Sequence, residues 1–138
     1  MNFKKFIIAL VAGFVVMVLL SGLWHMLIMG DFYKEHSTAG AREQYKMGFI
    51  VLGYIVLALL MAYIYPKGYS GGGAVAEGAK FGILMGLLWI LPFSLVLYGV
   101  IEMSGTGLIV DVVWHIVEQG VGGIVIGLVY GTDQEESS

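Results

Sequence analysis

Apolar and polar residues in this chain are sorted into long blocks rather than mixed at short range. Four predominantly apolar runs cover about residues 6–29, 47–65, 79–101 and 107–130. As a helix rising ~1.5 Å per residue, each run is long enough to cross ~30 Å of hydrocarbon. None shows the two-residue alternation of a half-buried strand. The pattern predicts an all-α protein, a transmembrane antiparallel four-helix bundle formed by a single four-span domain over 1–138.

The segments between the runs support that reading. A polar loop over 31–46 carries Asp31, Lys34, Glu35, His36, Arg42, Glu43 and Lys46, with room for a short surface helix. The second run closes on Pro66-Lys67-Gly68, a helix stop. Ser70-Gly71-Gly72-Gly73 makes a flexible turn, and Ser104-Gly105-Thr106-Gly107 a tight one that sets the last two helices side by side and antiparallel. An acidic tail occupies 131–138, with Asp133, Glu135 and Glu136. The first run, behind Lys4 and Lys5, has the charge of a signal peptide. It exceeds 20 residues and lacks an Ala-x-Ala site, which favours an uncleaved span.

Composition sharpens the class. Hydrophobic residues make up 59% and charged residues 12%, about half the charged share of soluble domains, and no cysteine is present. Disulfide scaffolds and thiolate chemistry are thereby excluded. The net charge of −3 contains no basic cluster suited to nucleic acid, so the expected partner is the lipid bilayer. Lys4, Lys5, Lys67 and Lys80 fall on one side of the bundle and Lys34, Arg42 and Lys46 on the other. With Lys4 and Lys5 against the first span, this bias puts both termini in the cytoplasm, for a multi-pass protein of a plasma membrane.

Small residues recur at four-residue spacing, Gly78, Gly82 and Gly86 in the third run and Gly123, Gly127 and Gly131 in the fourth. Such rows let another backbone approach closely. The first reading is packing within the chain, and the second is a homodimer or larger membrane assembly. Pro92 should kink the third helix. Trp24, Tyr54, Trp89 and Trp114 read as packing or interfacial aromatics.

Chemistry concentrates in the last run. Asp111, His115 and Glu118 fall within an arc of about 60° at ~100° per residue, with Gln119 beside them. Ionisable groups are costly in lipid, so this stripe should face other helices or water. Topology brings the ends of the first and third runs to the same side, which nominates His25, with Ser21 one turn deeper, and Glu102. The expectation is a polar cluster of His25, Glu102, Asp111, His115 and Glu118 between spans one, three and four. His36 reads as solvated, and Glu77 and Lys80 as structural.

Four readings of the cluster stay open. It is a hydrogen-bonded network that holds the helices in register, needing no cofactor. It is a cavity that binds a small ligand or relays protons or ions. It is a divalent metal site on His25, His115 and Glu118. Or it is a haem b site ligated by His25 and His115. No nucleophile with an adjacent base stands out in the sequence, which disfavours hydrolysis and enzymatic chemistry in general. The function classes are therefore a binding or accessory protein, a small transporter or proton- or ion-coupled permease, and a metal or haem redox protein.

Leu23-Trp24-His25 followed by Gly30-Asp31-Phe32-Tyr33, the glycine-rich Gly82 to Gly86, and Trp114-His115 with Gly123 to Gly127 carry a resemblance over nearly the whole chain. In this order of features the chain resembles small prokaryotic four-helix integral membrane proteins grouped as a domain of unknown function. The resemblance implies a bacterial or archaeal membrane protein and brings no activity with it. The chain is unlike the multidrug exporters of similar size, which need an acidic residue in the middle of span one.

Overall fold

In the computed structural model, residues 2–36 and 42–131 are described. Among them every regular element is helical: α1 (Phe3–Gly22), α2 (Gly30–Glu35), α3 (Met47–Gly68), α4 (Ala74–Val100) and α5 (Gly105–Gly131). Beyond Gly22 the first span continues as a π-helix over Leu23–Ile28. The acidic tail lies outside the described residues after Gly131, as does 37–41 of the polar loop. Four of the helices are long and apolar enough to cross a membrane, and they form an antiparallel bundle.

The helices outrun the apolar blocks because their ends recruit polar caps. Asn2 accepts the Lys5 amide at 3.3 Å, so α1 begins before its lysines. Ser104 caps α5 by accepting the Gly107 amide at 3.1 Å. α4 starts at Ala74 and takes Glu77 into its first turn, where a carboxylate suits the helix dipole. Pro66 does not stop α3 on the spot: the helix runs through it to Gly68, and Tyr69 turns to extended backbone. α4 likewise runs unbroken through Pro92.

α5 is the most enclosed span, with half of its apolar window buried against 17–22% for the others. The reason is its glycines. A methyl group on Gly78 would stand 2.5 Å from the Gly123 carbonyl oxygen, one on Gly86 2.7 Å from that of His115, and one on Gly127 2.5 Å from that of Ala74. At Gly82 it would run into the Gln119 carbonyl. The two glycine rows thus face each other across α4 and α5, and that face is not open to a second copy. α5 meets α1 on another side, where Gly122 receives Met17 and Ile126 packs on Gly13. α3 lies against α1. Large apolar side chains such as Leu19, Leu84, Phe93 and Val100 point outward, more than 60% exposed in the isolated chain, as expected of surfaces solvated by lipid tails.

Candidate polar path in the bundle

The π-helical turn positions the site on the first span. The Met29 amide donates to the Trp24 carbonyl five residues back at 2.8 Å. Widening this turn lets consecutive residues Trp24 and His25 both face α5. Trp24 stacks flat on Trp114, with 4.3 Å between ring centroids and 2° between planes. α2 then folds back over the end of the span and presents Tyr33, whose ring lies 4.7 Å from that of His25.

A continuous run of hydrogen bonds follows. The Trp24 indole donates to the Tyr33 hydroxyl at 3.0 Å, and that hydroxyl donates to Asp111 Oδ1 at 3.1 Å. His25 Nε2 faces the same oxygen at 3.3 Å. On its far edge His25 Nδ1 donates to the Ser21 carbonyl at 3.1 Å and lies 3.4 Å from Ser21 Oγ. The Tyr54 hydroxyl lies 2.8 Å from Ser21 Oγ and 3.2 Å from Glu118 Oε2. Glu118 also receives the Trp114 indole at 3.1 Å on Oε2 and the Gln119 amide at 2.9 Å on Oε1. From Tyr33 to Glu118 no gap interrupts the sequence of polar groups.

Depth follows from α5. Glu118 is the central residue of its 27 positions, so it sits ~20 Å from either end. Asp111 lies ~10 Å nearer the α2 side. Glu118 and Gln119 are fully buried. Beyond them toward the opposite face the packing is mainly apolar, with Met17 against Gly122 and Met61 and Ile126 inaccessible, and the polar atoms it encloses there are the Tyr65 hydroxyl beside Gly127 and the Tyr130 hydroxyl, which donates to the Ala62 carbonyl. The path enters from one side and ends at the middle of the bundle.

The protonation pattern is constrained by geometry. Ser21 O can only accept, so His25 Nδ1 carries a hydrogen, which leaves Nε2 facing a carboxyl oxygen. The His25–Asp111 pair therefore shares one further proton, as an imidazolium with a carboxylate or as an imidazole with an acid. His115 Nδ1 donates to the Asp111 carbonyl at 2.8 Å and lies 3.6 Å from Asp111 Oδ1, too far for a hydrogen bond. Tyr33, outside the spans, is held neutral: burial foremost, with the Asp111 charge, raises its hydroxyl above the ordinary phenol range, against a lowering contribution from Trp24.

The family can now be read. The family model described as "Predicted membrane protein (DUF2177)" matches residues 6–128. The chain belongs to this family. No curated protein and no solved structure matches it. This DUF2177 chain is a membrane protein, and the arrangement of its polar residues departs from the sequence expectation in several ways.

Four of the five nominated residues, His25, Asp111, His115 and Glu118, are brought together. Glu102 is not: it is exposed in the connection after α4 and makes no hydrogen bond or ion pair with described residues. The cluster therefore lies between spans one, two and four, because α4 spends most of its inward face on glycine contacts, although it also buries Ser94. Span two supplies Tyr54, and α2 supplies Tyr33. His36 is half-buried rather than solvated, stacked on Phe32 at 4.2 Å and donating to its carbonyl at 3.0 Å. Trp24, Tyr54 and Trp114 do more than pack, since each donates into the path.

Neither cofactor reading fits the DUF2177 site. His25 and His115 rings are 6.1 Å apart, yet the Asp111 carboxyl stands between them, 3.3 and 3.6 Å from their nitrogens, where a porphyrin would need an open slot. Among the described residues no three His, Asp or Glu side chains converge on one metal position. The fold also sets Ser21, His25 and Asp111 in a row, which sequence reading did not foresee. The row is not an activated nucleophile. His25 presents a proton, not a lone pair, toward Ser21, and Ser21 lies inside a helix whose amides are already bonded.

Proposed function

We propose that this chain is a non-enzymatic, multi-pass protein of a prokaryotic plasma membrane that carries protons along the Tyr33–Asp111–His25–Ser21–Tyr54 path to Glu118, as the core of a small proton-coupled transporter. One observation carries the reading: an unbroken series of groups, each able to give up and accept a proton, joins the α2 surface to a carboxyl group at the centre of the bundle. Ionisable groups inside a membrane protein characteristically mark such routes. The bond lengths, mostly 2.8 to 3.4 Å, allow transfer by small rotations of hydroxyl groups. Both termini are placed in the cytoplasm, as the lysines beside the first span favour, so the path opens to the outer side.

A second reading, a structural network in an accessory or ligand-binding protein, has one specific observation in its favour: both oxygens of Glu118 already have donors. Infrared spectroscopy of the protein in lipid separates the two. In the proton-carrying reading a carboxyl band titrates, disappears in Glu118→Gln, and equilibrates at least about tenfold more slowly in Tyr54→Phe, which removes the hydroxyl that links Ser21 to Glu118. If Glu118→Gln leaves every titrating band in place, or Tyr54→Phe leaves the rate unchanged, proton carriage is wrong and the network is structural.

A further inference from the structure

Away from the polar path, α1 and α5 leave a groove on the outer surface of the bundle. Lys5 and Ile8 of α1 line it together with Val125, Leu128 and Val129 of α5. Deeper in the bundle the two helices close up, with Ile126 packed on Gly13 and Met17 on Gly122. The groove is thus confined to the end where α1 begins and α5 finishes. Its walls are apolar, and Ile8 and Leu128 remain almost half exposed. Lys5 is the charged residue in that lining.

Lys5 stands at a boundary. The apolar run starts at Phe6, directly after it, so Lys5 lies where hydrocarbon gives way to headgroups. It is partly buried, whereas Lys4 is exposed. A lysine so placed lays its methylene stem on apolar neighbours and carries its ammonium to headgroup level. The opening turn of α1 adds to this positive end. Its first amides have no acceptor within the helix, and the turn holds no acid. The last residues of α5, from Val125 to Gly131, are uncharged as well. A cationic mouth over an apolar channel complements a molecule with an anionic head and a hydrocarbon chain. Basic pockets between membrane helices take anionic headgroups for this reason. The dimensions agree: Val129 to Val125 spans ~6 Å along α5, room for the first methylenes of a chain whose phosphate sits at Lys5.

We infer that the groove between α1 and α5 binds an anionic phospholipid. Lys4, Lys5 and the first turn of α1 hold its phosphate, and one acyl chain lies along Ile8, Val125 and Leu128.

The test releases the full chain from bilayers of equal parts phosphatidylglycerol and phosphatidylcholine. Native mass spectrometry then reads bound lipid and oligomeric mass together. Phosphatidylglycerol should be retained in excess. Lys5→Gln should cut that excess about fivefold, the weight of one lysine at an anionic surface. Leu128→Trp, which fills the apolar part of the groove, should lower retention. Lys67→Gln, at the end of α3 over the Tyr63 ring, should leave it unchanged. Equal retention of the two lipids by the unaltered chain would overturn the site. So would a loss in Lys67→Gln as large as in Lys5→Gln, the mark of diffuse attraction to basic residues. Undiminished retention in Leu128→Trp would put the acyl chain elsewhere, and displacement by inorganic phosphate would make this a free-anion site; either result overturns the lipid assignment. A lipid-free dimer broken by Leu128→Trp would give the groove to a second copy. Retention that appears only after Asp133→Asn, Glu135→Gln and Glu136→Gln would give it to the chain's own tail, and both of these outcomes also overturn the inference.

Discussion

At the scale of single residues, Glu118 and Tyr33 are the ends of one path and should respond differently to substitution. Glu118→Ala leaves two donors, on Trp114 and Gln119, without an acceptor, while Tyr54 keeps Ser21 Oγ. At ~1–3 kcal/mol for each unsatisfied group, the thermal midpoint should drop clearly, whereas Glu118→Gln, which keeps an acceptor, should cost much less. A thermal melt in detergent compares the two, and equal losses would mean that the donors find other partners. Tyr33 lies at the α2 end of the network. Its hydroxyl value is raised by burial from 10.0, so the neutral form is the one the fold prefers. For a raised value, the contribution to folding is complete below pH 10.0 and is lost as pH rises through the higher folded value. The attachment of α2, followed by hydrogen exchange of the Gly30–Glu35 amides, should therefore be constant across neutral pH in the native protein and weaken only in strong alkali. Tyr33→Phe should remove that alkaline step, and a step persisting in the variant would assign it to another group.

At the scale of elements, the close approach of α4 and α5 is the most exacting feature. A Cβ at Gly82 would overlap the Gln119 carbonyl, and only movement of backbone could relieve it. Gly82→Ala should cost ~1–3 kcal/mol through overpacking, visible as a lower melting midpoint. Gly53→Ala on α3, where nothing lies within 4 Å, should be neutral or slightly stabilising and serves as the control. These elements also show what a sequence can disclose. Span positions and the antiparallel order were legible because hydrophobic length and turn residues act locally. Asp111, His115 and Glu118 were legible as one stripe because helical periodicity is local too. The assignment of Glu102 failed because sharing a side of the membrane does not mean sharing an interior: α4 turns its glycines toward α5 and ends at Val100, leaving Glu102 exposed in the connection that follows. Tyr33 was missed because its role depends on α2 folding back over the span. The π-turn at Leu23–Ile28, bracketed by Gly22 and Gly30, carried no periodic signal that would separate it from α-helix.

At the scale of the whole molecule, the asymmetry of the interior makes a directional claim. The hydrogen-bonded polar groups lie in the half of the bundle that joins α2 to Glu118, and the other half is mainly apolar, with Met17, Met61 and Ile126, apart from the hydroxyls of Tyr65 and Tyr130. A proton that reaches Glu118 from the α2 side has crossed about half of the membrane. Moving a unit charge across the full potential is worth ~2.3 kcal/mol per 100 mV, so half the distance is worth roughly 1 kcal/mol per 100 mV. On the proposed topology, with both termini inside and the inner face negative, that energy would draw protons inward along the proposed path and raise occupancy of Glu118 severalfold. Orientation can be fixed first, since the chain has no cysteine: Lys34→Cys should react with a membrane-impermeant maleimide on whole cells, and Ser70→Cys only after the membrane is opened. In vesicles of that known orientation, imposing an inside-negative potassium diffusion potential should increase the protonated carboxyl band of Glu118, and reversing its sign should decrease it. A band indifferent to the sign of the potential would mean that Glu118 exchanges protons with both faces equally, and the one-sided path, with the apolar seal at Met17 and Gly122, would have to be abandoned.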